Sequence, residues 1–114
     1  MIVRGISSRA AFSQRKMGKS ELLRGRQVFA GLNCFLPGQT HSLHTHAGQD
    51  KLYLILEGRG NVTVGPKTDV VNAGDLVLAR EGVEHALENP GPGKLVVLAV
   101  MAPPPGPKPV LSER

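Results

Sequence analysis

The chain contains no tryptophan, and its only aromatic rings are Phe12, Phe29, Phe35 and Tyr53. Its core must therefore be filled by Leu, Val, Ile and Ala, and it has no aromatic ladder on which nucleic-acid bases would stack. A single cysteine, Cys34, excludes an internal disulfide and fits a reducing compartment. The longest apolar run, Leu95 to Ala102, is too short to cross a bilayer as a helix. The opening MIVRGISSRAAFSQRK has no apolar segment of the signal-peptide kind. A cytoplasmic protein without a membrane span is the expectation.

Acidic residues are scarce near the start. Residues 4 to 26 hold seven of the fourteen Lys and Arg, opposed by Glu21 alone. Such an arm would suit nucleic acid or an anionic membrane, but no nucleic-acid motif accompanies it. We read it as a solvated arm, with Phe12 available as an apolar anchor on a partner subunit. Gly18-Lys19-Ser20 has the ending of a phosphate-binding loop, but Ser13 stands where that loop requires glycine.

Glycine and proline are abundant, at 14 and 9 residues in a chain of 114. They divide the sequence into short pieces, as a many-stranded all-β domain requires. The chain is long enough for one domain. Its expected divisions are a basic arm over 1–26 with a short strand, a β-barrel over 27–102 and a Pro-rich tail over 103–114. Within the arm, residues 1–8 read as a strand and Ser20 to Leu23 as a helical turn capped by Ser20. From 27 to 36 apolar residues fall on both faces of an extended run, which calls for cover on both sides, from a second sheet or a partner subunit. Cys34 in that run reads as a small buried hydrophobe. Further strands are expected at 40–46, 51–56, 61–64, 68–71, 76–79, 84–88 and 94–101. The tail holds five of the nine prolines and cannot join a sheet interior.

The histidines are four: His41, His44, His46 and His85. In a strand, residues two apart share a face, so His44 and His46 would present adjacent imidazoles to one metal ion, and His85 would join them from another strand. Taken alone, a His-x-His pair is also what a solvated surface strand carries. The frame around it is more specific. Gly38 precedes His44 by five intervening residues, and Gly58 follows the strand-like KLYLILE; then come Gly74, Gly82, His85 and Asn89.

This double frame resembles the two motifs of the cupin superfamily, G-x5-H-x-H-x3-or-4-E-x6-G and G-x5-P-x-G-x2-H-x3-N. The resemblance spans residues 38 to 89. It departs at two positions: Lys51 stands at the carboxylate and Arg80 at the proline. The resemblance implies an all-β double-stranded β-helix, or jelly-roll, barrel and a homodimer. It also implies one divalent transition ion (Fe, Mn, Ni, Cu or Zn) held by His44, His46 and His85. A protonated Lys51 is no metal ligand. The fourth position is then open to Gln49, favoured because it shares the strand parity of Lys51, to His41, or to no protein group, with Lys51 directed elsewhere or binding an acidic substrate. Tyr53 is a candidate proton donor where it faces the barrel.

Two function classes follow. One is a metal-dependent enzyme, an oxygenase (dioxygenase), isomerase, decarboxylase or lyase, acting on a small oxygenated molecule. The other is a non-catalytic module that binds or senses a small molecule.

Overall fold

The computed structural model describes residues 1–45 and 47–106, with Leu43 and His44 as backbone. Nine strands form two antiparallel sheets: β1 (Gly18–Arg24), β2 (Phe29–Phe35), β3 (Thr40–His44), β4 (Asp50–Glu57), β5 (Arg59–Val64), β6 (Lys67–Asn72), β7 (Leu76–Ala79), β8 (His85–Glu88) and β9 (Leu95–Ala102). One sheet runs β1-β2-β9-β4-β7 and the other β3-β8-β5-β6. The two faces curl over a shared core as a double-stranded β-helix. No helix among the described residues is long and apolar enough to cross a membrane.

Alternation along the strands selects the core. On β4, Lys51, Tyr53 and Ile55 are buried, whereas Leu52 between them is exposed. On β9, Leu95, Val97 and Ala99 meet Phe35, Tyr53, Ile55, Val62 and Leu87 in the interior. The register aligns these side chains across the larger sheet. Asn33 pairs with Val97, which pairs with Ile55; Phe29 pairs with Met101, which pairs with Lys51.

The N-terminal residues do not form a free arm. Gly18 to Arg24 is strand β1, hydrogen-bonded along β2, where a helical turn was expected. The unpaired edge of β2 outweighs the weak local preference for a turn, because each ladder bond satisfies a backbone group that the core approaches. Residues 1–8 are not a strand: a 3-10 turn occupies Ile6–Arg9, closed by Ser8 N and Oγ donating to the Gly5 carbonyl at 2.9 and 2.6 Å. The outer side of β2 is covered within the chain. Leu32 and Cys34, with Val96, pack under Ala10, Phe12 and Leu22. Phe12 packs on its own sheet, with Lys94 Nζ 4.7 Å from its ring centroid. Cys34 is fully buried, and burial raises its thiol pKa, which leaves it an inert packing residue. Of the Pro-rich tail, residues 107–114 lie outside the described residues; Pro103 and Pro105 accept hydrogen bonds from Gln49 and Arg24.

Two of the motif positions are structural. Gly58 turns β4 into β5 at φ +88°, where a Cβ would collide with the Lys94 carbonyl. Asn89 is 1% exposed and ties three segments together. Its Nδ2 donates to the carbonyls of Phe35 at 3.0 Å and Gly93 at 2.9 Å, and its Oδ1 accepts from Gly91 N at 2.8 Å. Truncating it strands buried backbone groups. Asn89→Ala is expected to lower unfolding free energy by about 3 kcal/mol in urea titrations.

Candidate metal and ligand site

β3 and β8 bring two of the histidines to one level of the smaller sheet. His44 is the register partner of His85, and His41 is the partner of Leu87. A strict alternation would send residues 41 and 44 to opposite faces. The register shift between them lets both pair with residues of the buried face of β8, which carries His85 and Leu87. His46 lies outside the described residues. β3 ends at His44. Among the described residues no group of three or more His, Cys, Asp or Glu side chains clusters as a metal site.

His85 is 2% exposed, and its Nδ1 lies 3.0 Å from the Val83 carbonyl. A carbonyl only accepts, so the proton of the neutral ring resides on Nδ1 and the lone pair on Nε2. That is the tautomer and the backbone support that a metal-ligating imidazole uses. The donor chemistry of this residue therefore fits a divalent ion. Gln49 is held at Nε2 by the Pro103 carbonyl at 3.0 Å, and its buried Oε1 has no hydrogen-bond partner among the described residues.

Tyr53 is the hinge of the site. It is fully buried, with its ring 6.1 Å from the His85 ring, edge to face, and its hydroxyl has no partner among the described residues. Burial holds its phenol well above the usual range, so it stays a donor at any physiological pH. Lys51 Nζ stands over the same ring, 5.1 Å from its centroid.

Lys51 points into the barrel, as the strand alternation requires, and is 3% exposed. It lines a cavity of about 460 Å³ together with Lys19, Asn33, His41, Phe29 and Met101. Burial pulls the ammonium down from 10.5 to about 8, and the Lys19 charge acts in the same direction. Asn33 and Lys19 were not among the expected site residues. Asn33 carried a signal, as a lone amide amid Gly31-Leu32 and Cys34-Phe35; Lys19 was indistinguishable from the other basic residues of its segment.

The unfolded chain keeps the Lys51 proton up to about pH 10.5, whereas the folded chain releases it from about pH 8. Burial of this charge therefore opposes folding in full below pH 8, and the opposition fades between those two values. Lys51→Met is expected to raise unfolding free energy by about 2 kcal/mol at pH 7. The gain should shrink toward zero in the same urea titration near pH 10.5.

A family model described as a Cupin domain matches residues 31–101. An uncharacterized protein of Streptomyces coelicolor is 37% identical over 84 residues, which span 74% of this chain and 78% of that protein. The oxalate-binding protein of Thermotoga maritima is 37% identical over 65 residues, 57% of this chain, and the match spans only about half, 54%, of its length. A crystal structure from Thermus thermophilus superposes with a TM-score of 0.88 at 30% identity, covering 92% of this chain and 100% of that one. Two linked motifs, a double-stranded β-helix and a family match over most of the barrel agree: the chain belongs to the cupin family.

Proposed function

We propose that this chain is a metal-binding small cupin that acts, as a metal-dependent enzyme, on a small oxygenated molecule. The observation that carries this reading is His85: buried, fixed at Nδ1 by the Val83 carbonyl, and in register with His44. His44, His46 and His85 would hold the ion, with Gln49 Oε1 as a fourth donor. Three imidazoles and an amide are neutral, so the full charge of a divalent ion would remain to polarise a bound oxygen atom or lower the pKa of bound water. Within reach of the same interior, Tyr53 supplies a protonated phenol and Lys51 a cation. Oxygenase, isomerase, decarboxylase and lyase chemistry are the classes this arrangement suits.

A second reading, a module that holds a small molecule without turnover, is favoured by one feature. Lys51 replaces the carboxylate of the motif, which removes a negative ligand and a general base from the interior. The Thermotoga maritima relative, named for oxalate binding, also supports it.

Elemental analysis of protein purified without added metal or affinity tag separates metal binding from its absence. Near-stoichiometric Fe, Mn, Ni, Cu or Zn is expected, lost in His85→Ala and largely kept in His41→Ala. Equal metal content in those two variants would remove the ligand assignment. Proton NMR of the metal-loaded protein with small organic acids then divides enzyme from binder: new product resonances support the first, shifted but unconverted ligand resonances the second.

The same proposal includes a homodimer. Leu52, Leu76 and Leu78 lie exposed on neighbouring positions of β4 and β7, where Leu52 pairs with Leu78 and Leu54 with Leu76. A second copy would bury that leucine surface. Light scattering at micromolar concentration is expected to give the dimer mass, and Leu76→Glu/Leu78→Glu the monomer mass.

A further inference from the structure

The larger sheet carries a set of donors that the metal reading does not use. Lys51 makes no salt bridge among the described residues; the one ion pair there joins Arg24 to Glu21 at 3.4 Å. Asn33 is 6% exposed, and its Nδ2 has no hydrogen-bond partner among the described residues. Both side chains line the cavity of about 460 Å³, and so does Lys19, whose charge Lys51 feels across it. The one carboxylate on the lining is Glu21, and it is neutralised by Arg24, itself a lining residue. The cavity therefore has a net positive lining. It has a buried amide N–H without an acceptor and a buried ammonium without a counter-ion. Each is costly where it stands, and an anion held in the cavity they share would offset that cost.

We propose that Lys51 and Asn33 form a receptor for the carboxylate of a small organic acid, whose body lies against Met101 and Phe29. This deepens the proposed binding of a small oxygenated molecule and rests on that reading for its setting. In this chain the position that supplies a negative metal ligand in the motif instead supplies the counter-charge for a negative ligand. A planar carboxylate suits the donor set, one ammonium and one amide between apolar walls. A phosphate site would draw on backbone N–H groups at a helix N-terminus or a nest. Here the lining strands β2, β4 and β9 are each paired on both edges, so their N–H groups are committed to the ladders. Tyr53, a neighbour of both the His85 ring and the Lys51 ammonium, would then border the bound carboxylate.

The test is calorimetric titration of the full chain, as purified and again after EDTA treatment and exchange into chelator-free buffer, with acetate, benzoate and succinate. Benzamide serves as an uncharged isostere of benzoate, and inorganic phosphate as a competing anion. At least one carboxylate is expected to bind in both conditions, with benzamide and phosphate about tenfold weaker or more. Lys51→Met should weaken that carboxylate about tenfold or more, Asn33→Ala by a smaller factor, and Lys51→Arg should retain most of the affinity. Lys51→Met is expected to be more stable than the parent, so loss of binding there cannot be read as loss of fold; the thermal melt of each variant checks this. Unchanged affinity in Lys51→Met, equal binding of benzamide, or absence of carboxylate binding by the metal-stripped, chelator-free protein would overturn the proposal. Because that protein contains no metal, its titration stands or falls separately from the elemental analysis of the histidine site.

Discussion

Strand β9 is hydrogen-bonded along both of its edges, to β2 on one side and β4 on the other, and the placement of every interior group on the larger sheet depends on that double ladder. A strand buried on both faces has no water for its N–H and C=O groups, so both neighbours must pair with it in full. Their registers are then no longer free. With Met101 opposite both Phe29 and Lys51, and Val97 opposite both Asn33 and Ile55, strand parity sends Lys51 and Asn33 to the same concave face. A slip of one residue would turn Tyr53 and Ile55 outward and empty the core, so the same apolar burial that stabilises the barrel also holds a lysine inside it.

Keeping Lys51 there works against stability, and the chain offers the charge no counter-ion of its own among the described residues. Tyr53 softens the cost slightly through its ring face, 5.1 Å from Nζ. A buried ammonium so placed is tolerated where the interior has a use for it. The larger sheet brings Lys51 and the unused amide donor of Asn33, the smaller sheet brings His85 and His41, and His41 shares the cavity lining with Lys51 and Asn33. Which side chains meet in the interior follows from which sheet each strand joins.

The N-terminal segment shows how tertiary context overrides local preference. Its charges suggested a solvated arm, yet Phe12 and Ala10 close over Leu32 and Cys34, and β1 extends the sheet. Burying that apolar surface stabilises the fold by about 25 cal/mol per Å², and the ladder satisfies the edge of β2 at the same time. Lys19 enters the cavity lining only because β1 pairs with β2, with Lys19 opposite Asn33.

What the sequence by itself determined is local and periodic. The apolar run in KLYLILE marks β4, the glycines mark the reversals, and the spacings Gly38–His44 and Gly82–His85–Asn89 identify the family, because each is decided by backbone geometry within a few residues. The buried side of β4 was not legible, since Leu52, Leu54 and Leu56 offer an apolar face that competes with Tyr53 and Ile55. Only the tertiary structure decided the rest. The bulge that lets His41 and His44 both pair with the buried face of β8, the register of His44 against His85, the clamp role of Asn89, and the cavity lining shared by Lys51, Asn33 and Lys19 all join residues far apart along the chain. Such contacts are chosen by which pairing buries the most apolar surface while leaving the fewest backbone groups unsatisfied, a balance struck over the whole barrel and written in no single stretch of it.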